Sequence, residues 1–260
     1  MRVHNLIINP DQHLPGDFAM KQVDLLYAGK AKSVYRTDDP EVYIVKFRDD
    51  ITAFDGEKKD TLSGKGRYNA EVSSFLFGYL EEHGIGTHYL ASLEPATIAV
   101  RRLEMFPLEV IVRNVAAGSI VRRYPFREGE PLDPPVIVID YKSDAHHDPM
   151  LNDDLIYALG LATPEELDQI KAMALAVNEV LSEYLDQRGI TLVDFKLEFG
   201  HHDGEIVVGD EISMDSMRLW DKETGASLDK DVYRFNKGDV METYAGVAKR
   251  ILSPPQRGSA

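Results

Sequence analysis

The feature that most constrains the fold is a strict alternation of side chains at residues 193–199, VDFKLEF, followed by a second apolar run at residues 205–209. Successive side chains of an extended strand point to opposite faces of a sheet. The odd positions are apolar and the even positions are charged, which predicts a strand with one core face and one polar face. The predicted core positions are Val193, Phe195, Leu197 and Phe199.

The turn between the two runs decides which charged side chains meet. Residues 202–204, His-Asp-Gly, suit a three-residue hairpin loop with glycine in the left-handed conformation. That loop would pair Lys196 with Asp210 across the hairpin and place Asp210 on the same face as Asp194 and Glu198. It is one of several registers that the segment allows.

The spacing of Glu198 and Asp210 in this register suits a hard cation. Mg²⁺ prefers one or two carboxylates together with substrate phosphates, and the two acids would lie about one cross-strand diagonal apart. The alternative is an edge hairpin whose acidic face is simply solvated. The hairpin alone leaves both interpretations open.

Composition excludes several classes of function. The formal net charge of −15 argues against a general nucleic-acid binder, which needs basic surface. The chain has no cysteine, which excludes disulfides and thiolate chemistry and fits a reducing cytoplasm. It has neither a long apolar run nor a basic start followed by an apolar block. We therefore expect a cytoplasmic protein with no membrane partner.

A basic segment stands out against this acidity. Residues 113–127, RNVAAGSIVRRYPFR, contain four arginines and no acid. A small anionic ligand would explain the concentration of charge. A basic surface segment balanced by acids elsewhere in the fold is the alternative.

The order of elements predicts an α+β fold in two domains. Residues 1–19 are polar and aperiodic and are interpreted as an extension, followed by an N-terminal α+β domain at 20–105 and a C-terminal α+β domain at 106–260. Helices are predicted within 66–83, from a capping box at 163–166 (Thr-Pro-Glu-Glu), and at about 239–252.

A glycine turn near the N-terminus, Gly29-Lys30-Ala31-Lys32, lies between two predicted strands, Val23–Ala28 and Ser33–Arg36. Both lysines could face one phosphate chain, and without a ligand we expect them to have only water as partner. The turn matches neither the P-loop nor the G-x-G-x-x-G pattern. A surface lysine pair on a hairpin therefore stays open as the alternative.

The motifs become specific when they are taken together. The segments GKAKSVY (29–35), FRDDITAFDG (47–56), PLEVIVRNVAAGSIVRR (107–123), DYKSDAHHDPM (140–150), VDFKLEFG (193–200) and GDEISMDSMRLWDKETG (209–225) resemble the SAICAR synthetase family of purine biosynthesis. The resemblance spans about residues 26–250. It implies a two-domain nucleotide cleft related to ATP-grasp folds. It also implies an ATP-dependent ligase that joins L-aspartate to carboxyaminoimidazole ribotide (CAIR), giving SAICAR, ADP and phosphate.

The resemblance also implies roles on the nucleotide side. The turn Gly29 to Lys32, including Lys30 and Ala31, would hold the ATP phosphates together with Lys196. Glu198 and Asp210 would hold Mg²⁺. Met105 would contact the adenine.

On the ribotide side, the resemblance implies that Arg113, Ser119 and Arg218 bind the phosphate and carboxylate of CAIR. Asp194, like Lys196, is assigned a catalytic role. Nearby substrate-binding candidates are Lys142 and Asp215, and Asp55 is a weaker candidate for orienting aspartate or the ribotide.

One position departs from the family pattern, because Met214 stands where the family usually has proline. Proline fixes φ near −65°, so we expect a looser turn here with no reactive group lost. Two rival functions are a small-molecule kinase and a non-catalytic nucleotide-binding module. A kinase typically has the catalytic loop H-R-D-x-x-x-x-N, which this chain lacks. A non-catalytic module would be favoured by missing metal or phosphate groups, but Lys30, Lys32, Glu198 and Asp210 are all present. The oligomeric state, including a homo-oligomer, is left open.

Overall fold

The computed structural model describes residues 21–93 and 95–254. The interpretation of residues 1–19 as an extension lies outside the described residues. The first ten strands are β1 Gln22–Ala28, β2 Lys32–Thr37, β3 Val42–Phe47, β4 Asp50–Ala53, β5 Lys58–Thr61, β6 Tyr89–Leu93, β7 Thr97–Arg101, β8 Glu104–Met105, β9 Leu108–Val115 and β10 Pro131–Tyr141. The remaining strands are β11 Met150–Leu151, β12 Ile190–His202, β13 Glu205–Gly209 and β14 Met217–Asp221. The α-helices are α1 Lys65–Glu82, α2 Ser119–Arg123, α3 Asp153–Ala158, α4 Pro164–Asp186, α5 Asp231–Arg234 and α6 Val240–Leu252.

The described part of the chain contains two large antiparallel sheets and one two-stranded sheet, β4-β5. The first has the order β1-β2-β3-β7-β6 and the second has the order β11-β10-β9-β12-β13, with β14 and β8 also pairing with β12. The strand β8, which holds Met105, already pairs with the second sheet. Antiparallel sheets with unevenly placed helices confirm the predicted α+β class. The boundary between domains at 105 and 106 stays a prediction.

The long helices form where the sequence predicts them. At the start of α4, Thr163 accepts from the backbone N–H of Glu166 at 3.2 Å, and Glu166 accepts from that of Thr163 at 2.7 Å. This reciprocal capping box satisfies N–H groups that the first turn leaves unpaired. Asp239 caps α6 in a similar way, accepting from Glu242 at 2.9 Å.

The helices cover the apolar faces of the sheets. Leu76 and Leu80 of α1 and Ile170 and Leu181 of α4 are fully buried in one core cluster with side chains from both large sheets. In α4 the apolar stripe packs against β12, as the alternation of β12 requires. No helix in the described residues is long and apolar enough to cross a membrane.

Candidate active site

The polar face of β12 forms one wall of the site. Asp194, Lys196 and Glu198 occupy successive positions on this face, while Phe195 and Leu197 between them are 1% exposed in the core. Residues two apart on a strand are separated by about 7 Å. The predicted division of this strand into a core face and a polar face is therefore confirmed.

Two arginines converge on Asp194 from the neighbouring strands. In the sheet, Asp194 lies directly beside Arg113 of β9 and Arg218 of β14. Arg113 donates to Asp194 Oδ2 at 2.9 Å, and Arg218 donates to the same oxygen. Burial raises the pKa of Asp194, although both guanidinium groups favour its ionised form. For Arg218, burial alone would lower the pKa, but Asp194 and Asp231 outweigh it and raise the pKa.

The loop before α2 completes this basic end of the site. Ser119, the first residue of α2, accepts a hydrogen bond at Oγ from Arg113 Nη2 at 2.9 Å. Gly118 precedes it with φ +63°, and a Cβ there would lie 2.7 Å from Arg218 Nη2. Only glycine lets the backbone pass the guanidinium group at this distance.

At the other end of the polar face of β12, lysines and acids form a network of ion pairs. Lys196 donates to Glu109 of β9 at 2.5 Å and to Glu198 at 3.4 Å, and Lys142 also donates to Glu198. The side chain of Glu198 is only 2% exposed. Burial and the nearby Asp210 raise the pKa of Glu198. Lys196, Lys142 and Lys32 act in the opposite direction.

Asp210 joins this cluster through a hairpin register that differs from the predicted one. Asp203 and Gly204 form a two-residue turn with φ of +50° and +83°, and Glu198 pairs with Gly209. The predicted three-residue loop, and with it the pairing of Lys196 with Asp210, is therefore wrong. An Asp-Gly turn of this kind matches the right-handed twist of the strands.

The backbone at Asp210 then breaks the alternation. Asp210 follows the end of β13 with φ +63°. Its Oδ1 forms an ion pair with the Lys32 ammonium at 2.5 Å. The expectation that Lys32 has only water as partner is thus wrong. Burial would raise the pKa of Asp210, but Lys32 and the other lysines outweigh it and lower the pKa. The ring of His88 is buried beside this cluster and forms a hydrogen bond with the backbone of Asp210. Burial lowers the pKa of His88 to about 3.

A cavity of about 770 Å³ lies against the polar face of β12. Arg113, Lys196 and Arg218 line one side of it, and Lys30 and Phe54 from the first half of the chain line another. Its mouth is open, and its walls carry more cations than the net charge of the chain would suggest. This geometry suits two anionic substrates that meet next to Lys196.

Comparison with known proteins identifies the family. A sequence model of SAICAR synthetase matches residues 25–251. The chain is 89% identical over 236 residues to phosphoribosylaminoimidazole-succinocarboxamide synthase of Methanoculleus marisnigri, covering 91% of this chain and 98% of that protein. The chain belongs to the SAICAR synthetase family.

Solved structures agree with this family. A SAICAR synthetase in complex with ADP, 47% identical, covers 90% of this chain and all of its own, with a TM-score of 0.86. SAICAR synthetase from Pyrococcus horikoshii OT3, 48% identical, covers 87% of this chain and all of its own, with a TM-score of 0.83. The predicted family, and with it an ATP-dependent ligase of purine biosynthesis, is confirmed.

Three residues assigned by resemblance to SAICAR synthetase have distinctive surroundings. Asp215 lines the cavity, but its oxygens accept from Lys65 at 2.5 Å and from Tyr244 at 2.7 Å. Met105 is 40% exposed and lies beside Gly200 in the sheet. The side chain of Asp55 lies outside the described residues, although its backbone belongs to a 3₁₀ turn at Phe54–Gly56.

The turn that carries Met214 in place of the family's usual proline is held by other groups. Met214 is fully buried. The backbone N–H of Asp215 donates to Ser213 Oγ at 3.1 Å, and that of Ser213 donates to Ser216 Oγ at 3.0 Å. These bonds restrain the segment whose φ a proline would otherwise fix.

Sequence reasoning missed several residues that the structure places at this candidate site. Glu109 had a usable signal, because it lies four residues before Arg113 on one strand and therefore on the same face. Asp231, which accepts from Arg218 Nε at 2.8 Å, and the fully buried Lys65 had none. Their roles depend on contacts between segments far apart in the chain.

Proposed function

We propose that this chain joins the amino group of L-aspartate to the carboxylate of CAIR through an acyl phosphate, consuming ATP and releasing ADP and phosphate. The observation that carries the proposal is the arrangement of β12. Asp194 with its two arginines lies at one position, Lys196 at the next and Glu198 with its lysines at the one after. A ribotide held at the first and a triphosphate held at the last would meet at Lys196.

ATP would bind between the glycine turn and the acidic cluster. The turn from Gly29 to Lys32 would hold its phosphates through the backbone N–H groups of Lys30 and Ala31 and the ammonium groups of Lys30 and Lys32. The N–H of Gly29 instead closes the turn by donating to the Lys32 backbone oxygen at 2.8 Å. Lys32 already contacts Asp210, so the two halves of the chain face each other across this site. Met105, half-exposed on β8, would contact the adenine. A SAICAR synthetase solved in complex with ADP supports an adenine nucleotide as a ligand of this chain.

Glu198 and Asp210 fit a bound Mg²⁺ ion. Among the described residues no group of three or more His, Cys, Asp or Glu side chains could hold a metal. Mg²⁺ commonly takes one or two carboxylates, with phosphates and water completing its shell. The two acids are buried close enough for Asp210 to raise the pKa of Glu198, so an added cation would relieve their repulsion. Mg²⁺ bound here would neutralise charge on the phosphates during transfer.

The ribotide would occupy the arginine end of the cavity. Arg113 and Arg218 present donors in a fork that suits phosphate and carboxylate, and Ser119 adds a hydroxyl. Asp194 would hold both guanidinium groups in position and keep them ionised. Lys142, whose side chain is 46% exposed, can turn from Glu198 toward an incoming anion.

L-Aspartate would use two cations that make no direct ion pair within the described residues. Arg122 and Lys230 line the same cavity, and within the described ranges neither has a carboxylate partner within 4.0 Å. Burial lowers the pKa of Lys230, and a bound carboxylate would counter that effect. The two carboxylates of aspartate match these two cations.

The chemistry then proceeds in two steps. A carboxylate oxygen of CAIR attacks the γ-phosphorus of ATP, ADP leaves, and Lys196 neutralises the charge that gathers on the transferring group. The aspartate amine next attacks the carbonyl carbon, and phosphate leaves with the oxygen that the carboxylate supplied. The amine gives up one proton as the amide forms, and the departing phosphate takes it up.

A coupled assay of ADP release tests this function. We expect rapid ADP release with ATP, CAIR and L-aspartate together, and a new product of the mass of SAICAR. Succinate, which has both carboxylates but no amine, is the matched control and should give no such product. Absence of the product with all three substrates would refute the proposal.

A further inference from the structure

Two phenylalanine rings meet at the cavity from opposite halves of the chain. Phe54 lies in the 3₁₀ turn between β4 and β5, and Phe235 follows α5. Their ring centroids are 6.2 Å apart with an interplanar angle of 67°, an edge-to-face contact. Both line the 770 Å³ cavity, and they are 50% and 51% exposed.

The backbone conformation of Phe54 is unfavourable for a residue with a side chain. Its φ is +53°, a left-handed conformation that few residues with a side chain adopt. Half-exposed rings also leave apolar surface in water, in a cavity whose other walls carry many charges. Something other than local preference therefore keeps this ring at the cavity.

A set of polar contacts holds the β4–β5 hairpin against α5. Lys58 donates to the backbone oxygen of Tyr233 at 2.5 Å and to Asn236 Oδ1 at 2.7 Å, and its ammonium lies 4.1 Å from the centre of the Tyr233 ring. Tyr233 in turn donates from its hydroxyl to Asp60 at 2.9 Å. These contacts fix the two rings relative to each other across the boundary between the two halves.

The reaction proposed above creates a need for such rings. An acyl phosphate can react with water as well as with an amine. Attack by water returns the ribotide carboxylate and phosphate, so that one ATP becomes ADP and phosphate without ligation. Apolar side chains at the mouth would exclude water while the amine attacks.

We propose that Phe54 and Phe235 form an apolar barrier that protects the acyl phosphate from hydrolysis until aspartate reacts. They act as positioning residues, because they control what reaches the reacting carbon and take no part in bond changes. This inference rests on the proposed function and concerns the coupling of ATP use to ligation.

The test is the number of ADP molecules released per SAICAR formed. Phe54→Ala, Phe235→Ala and the double variant are compared with the unchanged protein at saturating substrates. Leu175→Ala, which removes a 41% exposed side chain from α4, is the matched control. We expect a ratio near one for the unchanged protein and the control, and a ratio at least ~2-fold higher in each phenylalanine variant. The double variant should match the singles, because either loss opens the barrier.

The outcomes separate this inference from the function on which it rests. A ratio near one in all phenylalanine variants would overturn the barrier, whether or not their melting temperatures fall, because lost packing alone does not uncouple ATP use. Phe235→Leu should restore the ratio to near one, since it keeps the apolar bulk. Failure of the unchanged protein to form SAICAR would instead refute the proposed function.

Discussion

Replacement of Gly118 by alanine should selectively damage the ribotide site. Gly118 has φ +63°, and the new Cβ would lie 2.7 Å from Nη2 and 3.1 Å from both Cζ and Nη1 of Arg218. Real Cβ contacts are essentially never that close to a neighbouring heavy atom. The guanidinium of Arg218, which donates to Asp194 and Asp231, must therefore shift, or the loop before α2 must move.

The size of the effect follows from the bonds at risk. A hydrogen bond to a charged group contributes about 1.5–3 kcal/mol, and each 1.4 kcal/mol changes a dissociation constant about tenfold. Loss of one such bond from Arg218 to the ribotide should weaken CAIR binding roughly 10- to 100-fold. ATP is proposed to bind at the other end of β12. Its dissociation constant should change by less than about 2-fold, because sites that share no contacts are energetically independent.

Titration calorimetry with CAIR and with ATP measures both values, and Gly225→Ala is the matched control. Gly225 has φ +69°, but no heavy atom lies within 4 Å of the position of its Cβ. An alanine there therefore has a similarly positive φ without touching Arg218. Unchanged CAIR affinity in Gly118→Ala, or an equal loss in Gly225→Ala, would refute the steric argument.

Three further predictions test other parts of the site. Glu198→Gln and Asp210→Asn should each lower turnover by at least ~10²-fold, and wild-type turnover in either would contradict the metal assignment. Lys65→Met should lower the free energy of unfolding by ~3–5 kcal/mol, because it leaves the buried Asp215 without its cation; urea denaturation measures this, and a loss below ~1 kcal/mol would show that the pair is not needed. The pKa of His88 is lowered to about 3, so its contribution to stability is complete above pH 6.5 and is lost as pH falls toward 3, by at most ~5 kcal/mol. In His88→Asn the unfolding free energy should depend less on pH in that window, and an equally steep dependence would remove His88 as its source.

The sequence predicted the features that depend on local pattern. The alternation at residues 193–199 requires one buried face, and the pair Thr163 and Glu166 can satisfy a helix start on its own. Both appear as predicted. The arginine-rich segment from Arg113 indicates an anion site by its composition alone, which requires no knowledge of its strand partners.

The failures arise where one residue or one distant contact decides the geometry. Asp203 and Gly204 close the hairpin in two residues where three were expected, and the left-handed φ of Asp210 then returns its carboxylate to the lysines. Strand alternation cannot anticipate that reversal. The pairing of Lys32 with Asp210 joins residues 178 positions apart, and no local pattern encodes it. The assigned site roles, the two-domain division, the cytoplasmic location and any homo-oligomer stay predictions.

The most direct test of the central claim follows the oxygen atoms of the ribotide. CAIR labelled with ¹⁸O in both oxygens of its carboxylate is incubated with ATP, Mg²⁺ and L-aspartate, and the inorganic phosphate is analysed by mass spectrometry. If the carboxylate attacks the γ-phosphorus at the site beside Lys196, each phosphate released with SAICAR should carry one ¹⁸O atom. Unlabelled phosphate alongside SAICAR would contradict the acyl phosphate and the arrangement of substrates proposed for β12.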